Sequence, residues 1–216
     1  MRYTKKTQNF YDRVSRSYDL LAEPSESALR QAALDKLDAN PGETILDVGS
    51  GTGQALLALA QVLKPSGKLY GLDISENMNR VAREKFIDTN LHDQVVLVTG
   101  DAVYLPFQEN KFDIVFMSFT LELFPTPTIL TVLKECQRVL RSNGRVCLVS
   151  LYETEKPGVI VRVYEYLHRR FPWIIDCRPI DVSKFLKMAG FEIEDISKKS
   201  LWGLPVAIVL CSFNGQ

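Results

Sequence analysis

Leu46-Asp47-Val48-Gly49-Ser50-Gly51-Thr52-Gly53 runs from a short apolar segment into a turn built on three alternating glycines. The segment feeding it, Thr44–Val48, lies between Pro41-Gly42 and Gly49 and reads as a buried parallel strand. Beyond the turn, Leu56, Leu59, Ala60 and Leu63 fall at helical spacing across 54–63, and Pro65-Ser66-Gly67 ends the stretch. A strand that passes through a glycine turn into a helix is the opening unit of an open α/β sheet. Glycines there let backbone approach a ligand closely and aim helix N-terminal N–H groups at a negative group. Such sheets bind ligands at the carboxyl ends of their strands. Three alternating glycines exceed what a bare turn needs. Their G-x-G-x-G spacing departs from the G-x-G-x-x-G of dinucleotide sites.

Working outward, Lys68–Leu72 reads as a second strand. A helix starting at Ser75 carries Met78, Val81, Ala82 and Phe86 on one face. Val95–Val98, Phe112–Met117 and Arg145–Leu151 are three further strands; the helix Ile129–Leu140 precedes the last and stops at Ser142-Asn143-Gly144. Short connections between strands and helices imply right-handed crossovers and a parallel sheet. The two ends differ from this core. Residues 1–40 read as a helical, charged leader with a second helix start at Pro24-Ser25-Glu26. Ile160, Val163, Tyr164, Leu167 and Phe171 fall at helical spacing, a helix follows over Val182–Ala189, and Phe191–Ser197 with Val206–Phe213 reads as an antiparallel pair. The expected fold is one α/β domain over 1–216, Rossmann-like and doubly wound. It has a mostly parallel seven-stranded sheet, an antiparallel last strand and a helical N-terminal cap. Its expected parts are leader 1–40, cofactor-binding core 41–151, lid or acceptor-pocket insertion 152–180, and closing helix and strand pair 181–216.

Composition narrows the function. The chain has 216 residues, 24% charged and 46% hydrophobic, with 26 basic residues against 26 acidic ones. That length suits one sizeable core. Zero net charge gives no general drive toward nucleic acid, so no nucleic-acid partner is expected. Cys136, Cys147, Cys177 and Cys211 lie far apart without a C-x-x-C pair, so no metal site is expected and the thiols suit a reducing compartment. Neither a signal peptide nor an apolar run long enough to span a bilayer is visible, and the expected location is cytoplasmic.

Asp73 ends the second strand, 20 residues beyond Gly53. A carboxylate there accepts hydrogen bonds from ribose hydroxyls in nucleoside-binding doubly wound folds. The glycine turn and Asp73 together point to a nucleoside-bearing ligand, either a nicotinamide cofactor or S-adenosylmethionine. Gly100-Asp101-Ala102 after the third strand is followed by Leu105-Pro106-Phe107 and Lys111-Phe112-Asp113-Ile114-Val115. With LDVGSGTG and GLDISENM, these motifs resemble the class I S-adenosylmethionine-dependent methyltransferases. The nearest likeness is to the ubiquinone/menaquinone-biosynthesis C-methyltransferases. Leader residues Phe10-Tyr11-Asp12-Arg13-Val14 and Tyr18-Asp19-Leu20-Leu21 are similar to that family, and so is Leu140-Arg141-Ser142-Asn143-Gly144-Arg145.

The resemblance implies S-adenosylmethionine as cofactor, S-adenosylhomocysteine as product, and a small apolar or aromatic acceptor, with a quinone precursor as the most specific case. It places Gly49, Gly51 and Gly53 beside the methionine part, with Asp47 and Ser50 in the same turn. Asp73 would hold the ribose, and Ile74 and Met78 would pack on the adenine. Asp101 would receive the adenine amino group, and the Ala102 N–H would face a ring nitrogen. Ser118 would lie near the methionine carboxylate or reactive methyl, and Tyr18 would reach over the cofactor.

Methyl transfer from a sulfonium is an in-line displacement, so holding acceptor and methyl collinear about 3–3.5 Å apart supplies much of the acceleration. A base is needed where the nucleophile must lose a proton. The candidates are His168, Tyr152 and Glu122, with Tyr18 and Asp176 behind them. Residues 159–173 are basic, aromatic and amphipathic, which suits a lid over an acceptor pocket, a helix packed on the sheet, or peripheral contact with anionic lipid. Two other readings stand beside the leading one. One is a non-catalytic cofactor-binding protein or partner subunit; the other is a nicotinamide-dependent oxidoreductase, against which the glycine spacing argues. A homo-oligomer is compatible with all three.

Overall fold

The computed structural model describes residues 8, 11–12, 26–63, 67–154, 157–170 and 177–213. Tyr18, Pro24-Ser25, Phe171, Trp173 and Asp176 lie outside the described residues.

Of the leader, helix α1 (26–37) is described, and Leu29, Ala33, Leu34 and Leu37 of it are buried. The core then alternates β1 (Thr44–Val48), α2 (Gln54–Leu63), β2 (Lys68–Asp73), α3 (Glu76–Asp88), β3 (Val95–Thr99) and β4 (Phe112–Ser118). A single 3₁₀ turn, Leu121–Leu123, leads to α4 (Thr126–Val139), β5 (Leu140–Leu151), α5 (Val159–Arg170), α6 (Val182–Met188), β6 (Glu192–Leu201) and β7 (Leu204–Phe213). Sequence and structure agree on β1 and α2 to the residue. Ser75 is the N-cap of α3 and accepts a hydrogen bond from the Met78 N–H.

The strands form one seven-stranded sheet in the order β3-β2-β1-β4-β5-β7-β6. β1 to β5 pair in parallel, and β7 runs antiparallel to both β5 and β6. Alternate residues face opposite sides. Ile45, Ile114 and Phe116 join α1, α2, α3 and α5 in one apolar cluster, while Leu46, Val115 and Met117 join α4 and α6 in the other. Strand order reverses between β1 and β4, and a crevice opens at their carboxyl ends, where such sheets bind ligands.

Two expectations need correcting. The helix before β5 stops at Val139, and Leu140 already pairs with Phe112. Residues 141–144 then bulge, with Asn143 at φ 64°, before pairing resumes at Ile114 and Arg145. In α5 the apolar residues expected to face the protein are largely outside it: Ile160 is 55% exposed and Val163 52%. The inward residues are Val161, which is buried, and Tyr164, whose hydroxyl donates to the Cys177 carbonyl at 3.0 Å. Among the described residues α5 packs on the β7 side of the sheet, so its inward stripe is centred on Val161 and Tyr164 rather than on Ile160 and Val163.

Candidate active site

Leu72 at the end of β2 receives two of the turn's amides: the Gly49 and Ser50 N–H groups donate to its carbonyl at 2.7 and 3.1 Å. This closes the glycine turn across the gap between β1 and β2. Gly49 has φ +76°, and a Cβ placed on it would meet Thr120 Oγ1 at 2.3 Å, so the turn passes β4's outgoing chain with no room for a side chain. Gly51 differs. Its φ is +52°, and a Cβ there would meet nothing within 4 Å because it faces open space.

That space is a cavity of about 440 Å³ at the carboxyl edge of the sheet. Its lining includes Asp47, Gly49, Ser50, Gly51, Asp73, Ile74, Met78, Asp101, Ala102 and Ser118, ten of the twelve residues expected to hold the cofactor. Tyr18 lies outside the described residues. Gly53 is not in the lining. Its φ is +80° and a Cβ there would sit 2.8 Å from the Phe86 ring, so this glycine allows the close approach of the turn to α3.

Asp73 is 8% exposed, and each carboxylate oxygen takes one backbone N–H: Gly51 on Oδ2 and Ser75 on Oδ1, both at 2.8 Å. These bonds orient the carboxylate and leave each oxygen a lone pair for a further donor. Burial raises its pKa to about 6, opposed by those N–H groups and helped by the nearby charge of Asp12. Asp12 accepts the Ser75 hydroxyl hydrogen bond at 2.5 Å, which holds Asp12 at the N-terminus of α3. Asp47 lies deeper. Burial raises its pKa to about 8, Asp73 adds to the shift, and Arg30 of α1 opposes it. Asp101 turns back on its own loop, accepting from the Val103 N–H at 3.0 Å.

None of the three residues expected to act as base lines the cavity. Glu122 is wholly buried beneath it, with Oε1 accepting from the Leu151 N–H at 3.0 Å and Oε2 without a hydrogen-bond partner among the described residues. Burial raises its pKa to about 7. Tyr152 continues β5 into a bridge with Ile180, and Lys198 Nζ lies 5.4 Å from its ring centre. His168 sits half-buried in the last turn of α5. In their place the lining holds Tyr11, Glu26, Arg30 and Gln54, with Phe119, Leu123, Phe124 and Pro125 forming an apolar wall past the end of β4. The sequence reading missed Glu26 and Arg30. Their spacing of four, on the same helix as Leu29, Ala33 and Leu37, is the signal that would have found them. Among the described residues no group of three or more His, Cys, Asp or Glu side chains gathers to hold a metal ion.

A methyltransferase-domain family profile matches residues 45–144. A demethylmenaquinone methyltransferase of Geobacillus stearothermophilus is 35% identical over 179 residues, which cover 79% of this chain and 74% of that protein. The chain belongs to the class I S-adenosylmethionine-dependent methyltransferases. Its cofactor is S-adenosylmethionine, and the cavity fits it: a carboxylate with free lone pairs faces in, and the place of a side chain at position 51 is open. A demethylmenaquinone methyltransferase of Oceanobacillus iheyensis is 34% identical over 153 residues, covering 71% of this methyltransferase and 62% of that enzyme, so the match spans under two thirds of that relative's length. A crystal structure of a SAM-dependent methyltransferase from Aquifex aeolicus shares the fold, with a TM-score of 0.67, 22% identity, and coverage of 92% of this chain and 97% of that one.

Proposed function

We propose that this methyltransferase moves a methyl group from S-adenosylmethionine to a ring carbon of a reduced, demethylated quinone. The observation that carries the reading is the two-sided cavity. Asp47, Asp73 and Asp101 line it together with an apolar wall of Phe119, Leu123, Phe124 and Pro125 suited to a flat ring. The names of the two bacterial relatives, both demethylmenaquinone methyltransferases, support this acceptor class.

In this reading Asp73 takes the ribose hydroxyls on the lone pairs that Gly51 and Ser75 leave available. Gly49 and Gly51 flank the methionine part, with Asp47 and Ser50 beneath it. Ile74 and Met78 pack on the adenine, Asp101 and the Ala102 N–H bond its edge, and Ser118 lies toward the methyl. The cofactor supplies an electrophilic methyl on a cationic sulfur. The carbon–methyl bond forms as the sulfur–methyl bond breaks, and the ring carbon then loses its proton. Glu26 lines the cavity from α1 and is the carboxylate we assign to draw the acceptor's proton. His168, Tyr152 and Glu122 lie outside that lining. The three buried thiols, Cys136, Cys147 and Cys211, support a reducing, cytoplasmic location.

The test is to incubate the purified chain with S-adenosylmethionine and chemically reduced demethylmenaquinone and follow the product by mass spectrometry. A product one methylene heavier is expected. Glu26→Gln should lower kcat by about 10²-fold, the low end for a lost general base, and leave S-adenosylhomocysteine affinity unchanged. Failure to methylate this acceptor when S-adenosylhomocysteine binds tightly would overturn the acceptor and leave the cofactor in place.

A further inference from the structure

α5 presents an apolar face to solvent. Val159 is 78% exposed, Val163 52% and Tyr166 61%, and their spacing of four and three residues sets them in one stripe along the helix. Exposed Arg162 and Arg169 flank that stripe on one side and Ile160 on the other. The patch continues onto the hairpin between β6 and β7. A Cβ on Gly203 would sit 2.6 Å from Ile160 Cδ1, and the neighbouring Trp202 is 71% exposed. Lys199 pairs directly with Val206, so both point to the α5 side of the sheet.

This patch lies at the cavity's edge of the sheet. β5 ends at its carboxyl edge, where Leu151 pairs with Val206 near the start of antiparallel β7, so the hairpin before β7 projects from that same edge. An apolar helix stripe, an exposed tryptophan beside it and flanking cations match the chemistry of an anionic bilayer surface, with apolar side chains among acyl chains and arginines at phosphates. We propose that the outer face of α5 with the Trp202 hairpin docks this protein peripherally on anionic membranes, bringing the cavity's edge to the lipid surface. The inference rests on this surface alone and holds whatever acceptor the cavity takes.

Vesicles of phosphatidylcholine, with or without equimolar phosphatidylglycerol, test it by co-sedimentation with the full chain. Sedimentation with the anionic vesicles, and its loss at high salt, are expected. Val163→Glu and Trp202→Ala should each weaken partitioning by about tenfold, because both side chains are more than half exposed and their burial is confined to the lipid. Their melting temperatures should match the parent. In a Trp173→Phe background, Trp202 fluorescence should shift to the blue on adding anionic vesicles. Absence of sedimentation with either vesicle, or variants that sediment as fully as the parent, would overturn the proposal. So would a dimer in lipid-free solution that Val163→Glu converts to monomer, which would assign the face to a second copy of the chain.

Discussion

Gly51 and Gly53 lie two positions apart and answer to different constraints. Both have positive φ, +52° and +80°, so alanine at either brings a backbone cost. At Gly51 the new methyl enters the cavity and meets no protein atom, so Gly51→Ala should fold and lose cofactor affinity by about tenfold, read by calorimetric titration with S-adenosylhomocysteine. At Gly53 the methyl would sit 2.8 Å from the Phe86 ring and 3.1 Å from Ala82 Cβ. Gly53→Ala should therefore destabilise by about 1–3 kcal/mol and leave the folded fraction's affinity unchanged. The reverse pattern would reassign the two glycines. Asp73→Ala removes a carboxylate already oriented by Gly51 and Ser75, and S-adenosylhomocysteine binding should weaken by about 1–3 kcal/mol. An unchanged dissociation constant would remove Asp73 from the ribose.

Elements hold these residues in place through side chains that never reach the cavity. Arg138 in α4 donates to the Leu105 carbonyl at 2.9 Å and the Phe107 carbonyl at 2.8 Å, and pairs with Glu135, which in turn accepts from the Leu105 N–H. This staples the end of the loop that starts at Gly100-Asp101-Ala102 to α4, which packs with it in the same apolar cluster. Arg138→Ala should lower the melting temperature and raise the S-adenosylhomocysteine dissociation constant several-fold, because it frees the loop that brings Asp101 and Ala102 to the cavity without itself lining it. A variant that melts earlier but binds as before would show the loop to be held by its own turns. At this scale much was legible. The glycine turn, the helix of apolar spacing behind it and the flanking Pro-Gly pairs are local signals, so β1 and α2 are read to the residue. Asp73 and Gly100-Asp101-Ala102 were legible because strand ends fix where they project. What failed depended on distant partners. α5 has the right period, but which stripe turns inward is set by β7, about forty residues later. Glu122 reads as a candidate base because nothing local shows that its carboxylate is buried against the Leu151 N–H of β5.

At the scale of the molecule, three carboxyl groups among the described residues are buried at one end of the sheet, and their burial sets how stability follows pH. Asp47 is raised from 3.8 to about 8, Asp73 from 3.8 to about 6, and Glu122 from 4.5 to about 7, each chiefly by desolvation. The folded chain therefore keeps protons that the unfolded chain has released. Stability contributed by these groups is fully present below their unfolded pKa values and is lost as pH rises through the folded ones. The ligand-free protein should melt at progressively lower temperature between about pH 5 and pH 8, opposite in slope to ordinary acid denaturation, which weakens carboxylates such as Glu135 that Arg138 holds below the usual range. Glu122 isolates one share of the effect. Glutamine keeps an oxygen to accept from the Leu151 N–H and carries no charge at any pH. Glu122→Gln should therefore match the parent near pH 5 and exceed it near pH 8 by about 1–3 kcal/mol, a gain of several degrees in melting temperature. Equal melting curves for the two proteins at both pH values would mean that Glu122 ionises in the folded chain as freely as in water, and that its burial is relieved by solvent.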